Sequence, residues 1–283
     1  MTIHYADFHI HTCCSDGDFT TSEIVERACQ LGIDIISITD HNTVDGVSDA
    51  KNRAEQRGIT VIPGIELSID YPCEMHLLGY YIDIDNRTLL TYIKEKMEAE
   101  FIELLRLLHK IHKHFPGIDM DKFLKVRRVN AGSIADVLIA QGYASDRNDV
   151  QQRYLGKTGF LRVERNELKP AHGIELIRQA GGVAVLAHPG RMGLEDQELF
   201  EFLKELRKMG IGGLECYHAS HNEQMEAQCC EMAKDLGLLI SGGSDYHGLG
   251  RRAPREEPQQ RDFALGILKP FLDEDCFLRC ITD

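Results

Sequence analysis

The chain has 283 residues and a mass of 32.0 kDa, enough for one large domain, or one domain carrying an insertion, at roughly 100–200 residues per domain. Apolar residues make up 43% and charged residues 27%, which excludes a chain that is disordered, collagenous or coiled-coil throughout. The net charge of −13 argues against gripping long nucleic acid, which needs a basic surface, but leaves small anionic substrates open where bound cations invert the local field.

No run of about 18 uncharged apolar residues occurs, so no membrane span is expected. Residues Met1 to Asp7 lack the basic and then apolar pattern of a signal peptide. The nine cysteines include the adjacent pairs Cys13-Cys14 and Cys229-Cys230, and no C-x-x-C is present. They read as reduced thiols of a cytoplasmic protein.

In chain order, short β-branched runs alternate with amphipathic stretches. The first run ends at Asp7-Phe8-His9-Ile10-His11. The second is Ile35 to Thr39, followed by Asp40-His41, and the third runs from Thr60 to Glu66. The fourth is Met75 to Tyr80, which contains His76; the fifth, Val183 to Ala187, leads into His188. The sixth is Gly213 to His218, and the seventh, Leu238 to Ser241, leads to Asp245 and His247. Helical segments are expected over 21–31, 47–57, 173–180, 197–209 and 223–236, most of them closed by glycine. This alternation predicts an α/β fold with a largely parallel sheet. Strand ends rich in potential metal ligands predict its closure as a barrel around one central site, because chemistry collects at the carboxyl ends of strands.

Residues 85–165 break the alternation. Leu89, Ile93, Met97, Phe101, Leu104, Leu105, Leu108 and Ile111 fit a long amphipathic helix, with more helix around 132–141 and 146–155. The expected organisation is a barrel of residues 1–84 and 166–283, with a helical cap domain of residues 85–165 inserted. Pro254 to Arg261 reads as a polar surface loop, and the residues from Asp262 onward as a segment packed against the barrel edge.

His9 and His11 are two apart, a spacing that points both imidazoles to one face of a strand. Asp16, His41, Glu66, His76, His188, Asp245 and His247 complete a set of nine candidate metal ligands. Imidazole and carboxylate without thiolate suit zinc, manganese or iron. Nine ligands are too many for one ion of four to six coordination, so bridging by Glu66 and Asp245 to two or three divalent ions is expected.

The motifs Asp7-Phe8-His9-Ile10-His11-Thr12-x-x-Ser15-Asp16-Gly17, Ile38-Thr39-Asp40-His41-Asn42, Pro63-Gly64-Ile65-Glu66, His188-Pro189-Gly190 and Ser244-Asp245-Tyr246-His247 resemble, in order, those of the PHP (polymerase and histidinol phosphatase) family. The resemblance implies a distorted seven-stranded (βα) barrel. It implies a first ion on His9, His11, Glu66 and Asp245, a second on Glu66, His76 and His188, and a third on Asp16, His41 and His247. Asp245 is expected to be indispensable for turnover. In the sixth-strand motif, His218 and His221 are the candidates for substrate contact and for the general acid, with His221 preferred by the resemblance.

Within the family, the His76 strand, the insertion, Gly156-Lys157-Thr158-Gly159 and His188-Pro189-Gly190-Arg191 resemble the nucleoside 3′,5′-bisphosphate phosphatases and the phosphoribosyl cyclic phosphate phosphodiesterases most. Lys157 and Arg191 are the natural phosphate clamps. Val129-Asn130 stands where that branch often has Thr-Arg, so Asn130 is expected to mark a changed substrate pocket. The resemblance implies a metal-dependent phosphoesterase acting on a small phosphorylated metabolite or nucleotide through a metal-activated hydroxide. Exonuclease action on short oligonucleotides, a histidinol-phosphate-type phosphatase and a non-catalytic metal-binding module are the alternatives. His109, His112 and His114 read as a solvated helix end.

Overall fold

The computed structural model describes residues 5–124, 131–156, 159–162 and 168–248, without the side chains of residues 124 and 131. The expectations for Asn130, Lys157, the 254–261 loop and the C-terminal segment lie outside these residues. By compactness the chain divides into residues 1–93 with 167–283, and residues 94–166.

The first unit opens with β1 (Ala6–Ile10), α1 (Thr21–Gln30), β2 (Ile35–Ile38), α2 (Asp45–Glu55), β3 (Thr60–Ser68) and β4 (His76–Tyr80). The division of the chain falls within the long helix α3 (Arg87–His114). The second unit continues with α4 (Asp121–Leu124), α5 (Ala131–Ala140) and α6 (Arg147–Val150), the last followed by one π-helical turn, Gln151–Leu155. The first unit resumes with α7 (Pro170–Gln179), β5 (Val183–Leu186), α8 (Asp196–Met209), β6 (Gly213–His218), α9 (Glu223–Asp235) and β7 (Leu239–Gly243).

Local chemistry starts and stops these helices. Thr20 caps α1 in a reciprocal box with Glu23, and Asn222 accepts from the Met225 amide at the start of α9. Gly210 ends α8 in a left-handed conformation. Strand residues are buried on both faces, as in Ile35-Ile36-Ser37-Ile38, because helices cover the outside of the sheet.

The sheet has seven strands in sequential order β1 to β7. β1–β2–β3 and β5–β6–β7 pair in parallel, but β4 is antiparallel to both β3 and β5. That departs from an all-parallel reading, and the reason is length. Residues 69–75 between β3 and β4 are too few for a crossover helix, which needs about a dozen, so the chain turns back as a hairpin. The edges meet where the Ile10 and Tyr246 backbones bridge: His11 N–H donates to Tyr246 O at 2.9 Å. The result is a nearly closed seven-stranded barrel, with Phe8, Ile62, Leu78, Tyr80 and Val185 in one buried cluster and the helix-facing residues in another.

The second unit has its own core, in which Ile111, Phe115, Phe123, Ile134, Leu138, Tyr154 and Leu161 pack together. No helix among the described residues is long and apolar enough to cross a membrane.

Barrel closure depends on glycine at position 243. A Cβ there would sit 2.3 Å from His9 Cβ and 2.5 Å from His9 N, so β1 and β7 could not approach. Gly243→Ala is expected to lower stability by about 2 kcal/mol or more through overpacking, read from urea unfolding monitored by circular dichroism.

Candidate metal centre

Strand direction brings the ligands to one end of the barrel. His9 lies near the end of β1, His11 just past it, and His41 just past β2. Glu66 lies in the last third of β3. His76 opens β4, and because β4 is reversed its amino end meets the carboxyl ends of its neighbours; Ser68 pairs with His76. His188 follows β5, and Asp245 and His247 follow β7. The β1–β2 register shifts between Asp7 and Ile10, an irregularity at the level of His9 of the kind that re-aims a side chain.

Glu66 is the hub. Its Oε2 lies 3.3 Å from His9 Nε2, 3.2 Å from His11 Nε2 and 3.0 Å from His41 Nδ1. Its Oε1 lies 2.9 Å from His76 Nδ1 and 3.1 Å from His188 Nε2. Asp245 Oδ1 is 3.2 Å from His11 Nε2 and 3.5 Å from His9 Nε2. Asp16 Oδ1 is 3.2 Å from His247 Nε2, with His11 and His41 within 4 Å. Thus His9, His11, Glu66 and Asp245 form one group of potential ligands, and His11, Asp16, His41 and His247 another. Glu66 with His76 and His188 gathers about a third point.

All of the expected ligand residues are therefore neighbours. Of the expected substrate contacts, Arg191 joins them, with Nη1 2.7 Å from Asp245 Oδ2. His218 Nε2 stands 3.6 Å from the same oxygen. His221 is engaged differently. Its Nδ1–H donates to Cys216 O at 2.9 Å, and its Nε2 accepts from Gly190 N–H at 3.2 Å. Both ring nitrogens thus tie β6 to the turn after His188. Gly190 permits this because a Cβ there would lie 2.8 Å from the His221 ring.

The donor atoms test whether a cation fits. His9 Nε2, His11 Nε2, His41 Nδ1, Glu66 Oε2 and His247 Nε2 are buried and make no properly oriented hydrogen bond. Each such buried atom costs about 1–3 kcal/mol, so clustering them is unfavourable without a further partner. Divalent cations satisfy them together. Backbone and carboxylate partners also set the tautomers. His247 Nδ1–H donates to Asp245 O at 2.8 Å, and His9 Nδ1–H donates to Glu215 Oε1 at 2.9 Å. Each leaves an Nε2 lone pair for a metal. The residues fit divalent metal ions.

Electrostatics agrees. Burial pushes the Glu66 carboxyl up, but His41, His76 and His9 outweigh it and hold the group well below the usual range. Burial raises Asp245 in the same way, and His9, His11, His218 and His247 pull it well below its usual value. His188 is lowered to about 4 by burial, against the pull of Glu66. The backbone is strained here as well. His188 has φ 29° and Asp245 φ 54°, in the left-handed region that non-glycine residues seldom adopt and that concentrates at functional sites.

Glu215, a buried carboxylate on β6, was not among the expected site residues. In the sequence it sits inside an apolar run, Gly213-Leu214-Glu215-Cys216, and that charge was the available signal.

The PHP domain family matches residues 7–145. Phosphoribosyl 1,2-cyclic phosphate 1,2-diphosphodiesterase of Eggerthella lenta is 28% identical over 88% of this chain and 96% of its own. The 5′-3′ exoribonuclease Rnm of Escherichia coli is 29% identical over 85% of this chain and 84% of its own. The 3′,5′-nucleoside bisphosphate phosphatase of Chromobacterium violaceum is 27% identical over 86% of this chain and 87% of its own. Residues 7–145 carry a PHP domain. The geometry of the barrel gives the sequence motifs their physical meaning: each brings a candidate ligand to the same end of the barrel.

Adding a divalent ion at about 100 times its dissociation constant should stabilise the protein by about 2.7 kcal/mol. Glu66→Gln should abolish most of that gain. Thermal unfolding with and without manganese, together with metal analysis of the dialysed protein, checks both.

Proposed function

We propose that this centre hydrolyses phosphate esters of a small phosphorylated ribose or nucleotide. One observation carries the reading: Asp245 Oδ2 is approached by the Arg191 guanidinium at 2.7 Å and by His218 Nε2 at 3.6 Å. A fixed cation and a proton carrier beside a metal cluster are what an anionic ester with a poor leaving group requires.

Divalent ions bound here supply Lewis-acid charge and lower the pKa of water. His9, His11, Glu66 and Asp245 would hold one ion, Glu66, His76 and His188 a second, and Asp16, His41 and His247 a third. Manganese is the metal proposed, with zinc or iron as the alternatives that this donor set accepts. Arg191 binds the phosphoryl oxygens and offsets charge as it develops. His218 serves as the general acid. Ser220 N–H donates to its Nδ1 at 3.0 Å, so the neutral ring carries its proton on Nε2. That nitrogen has no lone pair for a metal but has a proton for the leaving oxygen. His221, whose nitrogens both bind backbone, is assigned to holding the Gly190 turn. The helical unit is proposed as the cap that selects the substrate, with Lys157 as a second phosphate contact and Asn130 as a determinant of pocket shape. Free thiols at the seven described cysteines fit the reducing cytoplasm.

The named relatives act on a cyclic phosphate, a nucleoside bisphosphate and RNA, and their identities of 28%, 27% and 29% do not separate them. The acidic net charge favours the small substrates; the Escherichia coli relative keeps exonucleolytic action on short RNA as the second reading.

Manganese-loaded protein is expected to release inorganic phosphate from 5-phosphoribosyl 1,2-cyclic phosphate or adenosine 3′,5′-bisphosphate faster than it shortens a 5′-phosphorylated RNA. Faster release of mononucleotides from the RNA would favour the second reading, and no turnover of any of the three would sink the proposal. Asp245→Asn should lower kcat by at least about 10³-fold, because the variant loses a ligand together with the partner of Arg191 and His218. His218→Asn should lower kcat by about 10²–10⁴-fold on the natural ester but far less on a p-nitrophenyl ester, whose leaving group needs no proton.

A further inference from the structure

Glu215 is not a member of either of the two groups that gather about Asp16 and Asp245, though it stands in a further cluster with His9 and His218, and it is buried with both oxygens engaged. Its Oε1 accepts from His9 Nδ1–H at 2.9 Å, and its Oε2 accepts from His188 N–H at 2.7 Å. Both partners carry expected ligand nitrogens, and all three residues are about 1% exposed or less. The two carboxylate oxygens therefore serve two different segments, β1 and the turn that follows β5.

We infer that Glu215 is a positioning residue: it fixes the tautomer of His9 and the strained turn at His188, so that both imidazoles face the metal. The inference rests on the reading of the cluster as a divalent-metal site.

The argument is one of acceptor count. An imidazole can bind a metal through Nε2 when its proton sits on Nδ1. His9 holds its proton there because a carboxylate oxygen receives it. At His188 the backbone has φ 29° and ψ 58°, a conformation costing on the order of 1–3 kcal/mol unless its surroundings enforce it. The amide of that residue is spent on the same carboxylate. Glutamine in place of Glu215 would be nearly isosteric but would offer one acceptor for two donors. With its oxygen on His188 N–H, its amide group would face His9 Nδ1 as a donor. His9 would then accept at Nδ1 and carry its proton on Nε2, the nitrogen needed for the metal.

The charge acts in the same direction. Burial pushes the Glu215 carboxyl up, but His9, His218 and His188 bring it down to about 2. An ionised acceptor makes a hydrogen bond about twice as strong as a neutral one, so a neutral amide weakens both contacts even where it can accept.

The test reads coordination directly. In zinc-loaded wild-type protein labelled with ¹⁵N-histidine, His9 should show a proton on Nδ1 and a metal-shifted Nε2, with its signals assigned by their loss in His9→Gln. Zinc on Nδ1, or a proton on Nε2, would overturn the inference without any Glu215 variant having to fold. In Glu215→Gln, manganese affinity should fall about 10–100-fold, and the His9 pattern should reverse or lose its metal shift. A variant that lowers the unfolding temperature while keeping manganese affinity and the His9 spectrum would leave Glu215 as a packing residue and overturn the inference. Absence of phosphoesterase turnover in a wild-type protein that passes both measurements would count against the proposed function alone.

Discussion

The structure depends on one buried carboxylate, Glu66, with five imidazoles within 3.3 Å of its two oxygens. Taking a carboxylate out of water costs several kcal/mol even after the protein relaxes. Here that cost is offset by histidines drawn from β1, β4 and the segments after β1, β2 and β5. The hub can exist because those strand ends meet. A strand order that separated β1 from β3, or left β1 and β7 apart, would leave Glu66 with too few partners. Closure and ligand assembly are one constraint.

A second set of acids supports the first without joining it. Asp40 accepts from Thr12 N at 2.7 Å and Thr12 Oγ1 at 2.6 Å, and also from Ser15 Oγ. Asp7 accepts from His9 N at 3.1 Å, Ser244 N at 2.9 Å and Ser244 Oγ at 2.6 Å. Glu215 takes His9 and His188. Asp7 thus holds backbone on two segments that carry candidate ligands, Asp40 holds the segment after β1, and Glu215 holds the His9 ring together with the His188 amide. Burial raises Asp7 to about 6 against three hydrogen bonds, a measure of how unfavourable such a position is for a charge. The acidic composition is thus partly internal architecture, and the distinction between ligand and support is one of geometry rather than residue type.

The reversed strand and the left-handed residues serve the same end by different routes. In a wholly parallel barrel, His76 at the start of its strand would emerge at the wrong end. The short connection after β3 forces the reversal, and the reversal delivers His76 beside Glu66. His188 and Asp245 instead follow parallel strands and reach inward through φ values of 29° and 54°. Their strain is sustained by contacts on the residues themselves: Glu215 accepts from the His188 amide, and Asp245 is held by Arg191.

Much of this was legible in the sequence because it is written in periodicity and in residue type at strand ends. The seven apolar runs correspond to β1–β7, and glycines such as Gly210 mark where helices stop. The candidate ligand residues stand out, since His and Asp immediately after β-branched runs have few structural uses. Strand direction was not legible from patterning, because a buried strand reads the same forwards and backwards; the seven-residue spacing 69–75 was the available clue. Glu215 was hidden by its apolar neighbours. His218 and His221 show the limit most clearly. They lie three residues apart in one motif, and residue type cannot rank them. The backbone does: Ser220 N–H donates to Nδ1 of His218, leaving a proton on the nitrogen that faces Asp245, whereas Cys216 O and Gly190 N–H take up both nitrogens of His221. The same side chain becomes a proton donor or a tie according to which main-chain group meets its Nδ1, and that group is settled only when β6 has packed against the turn after β5.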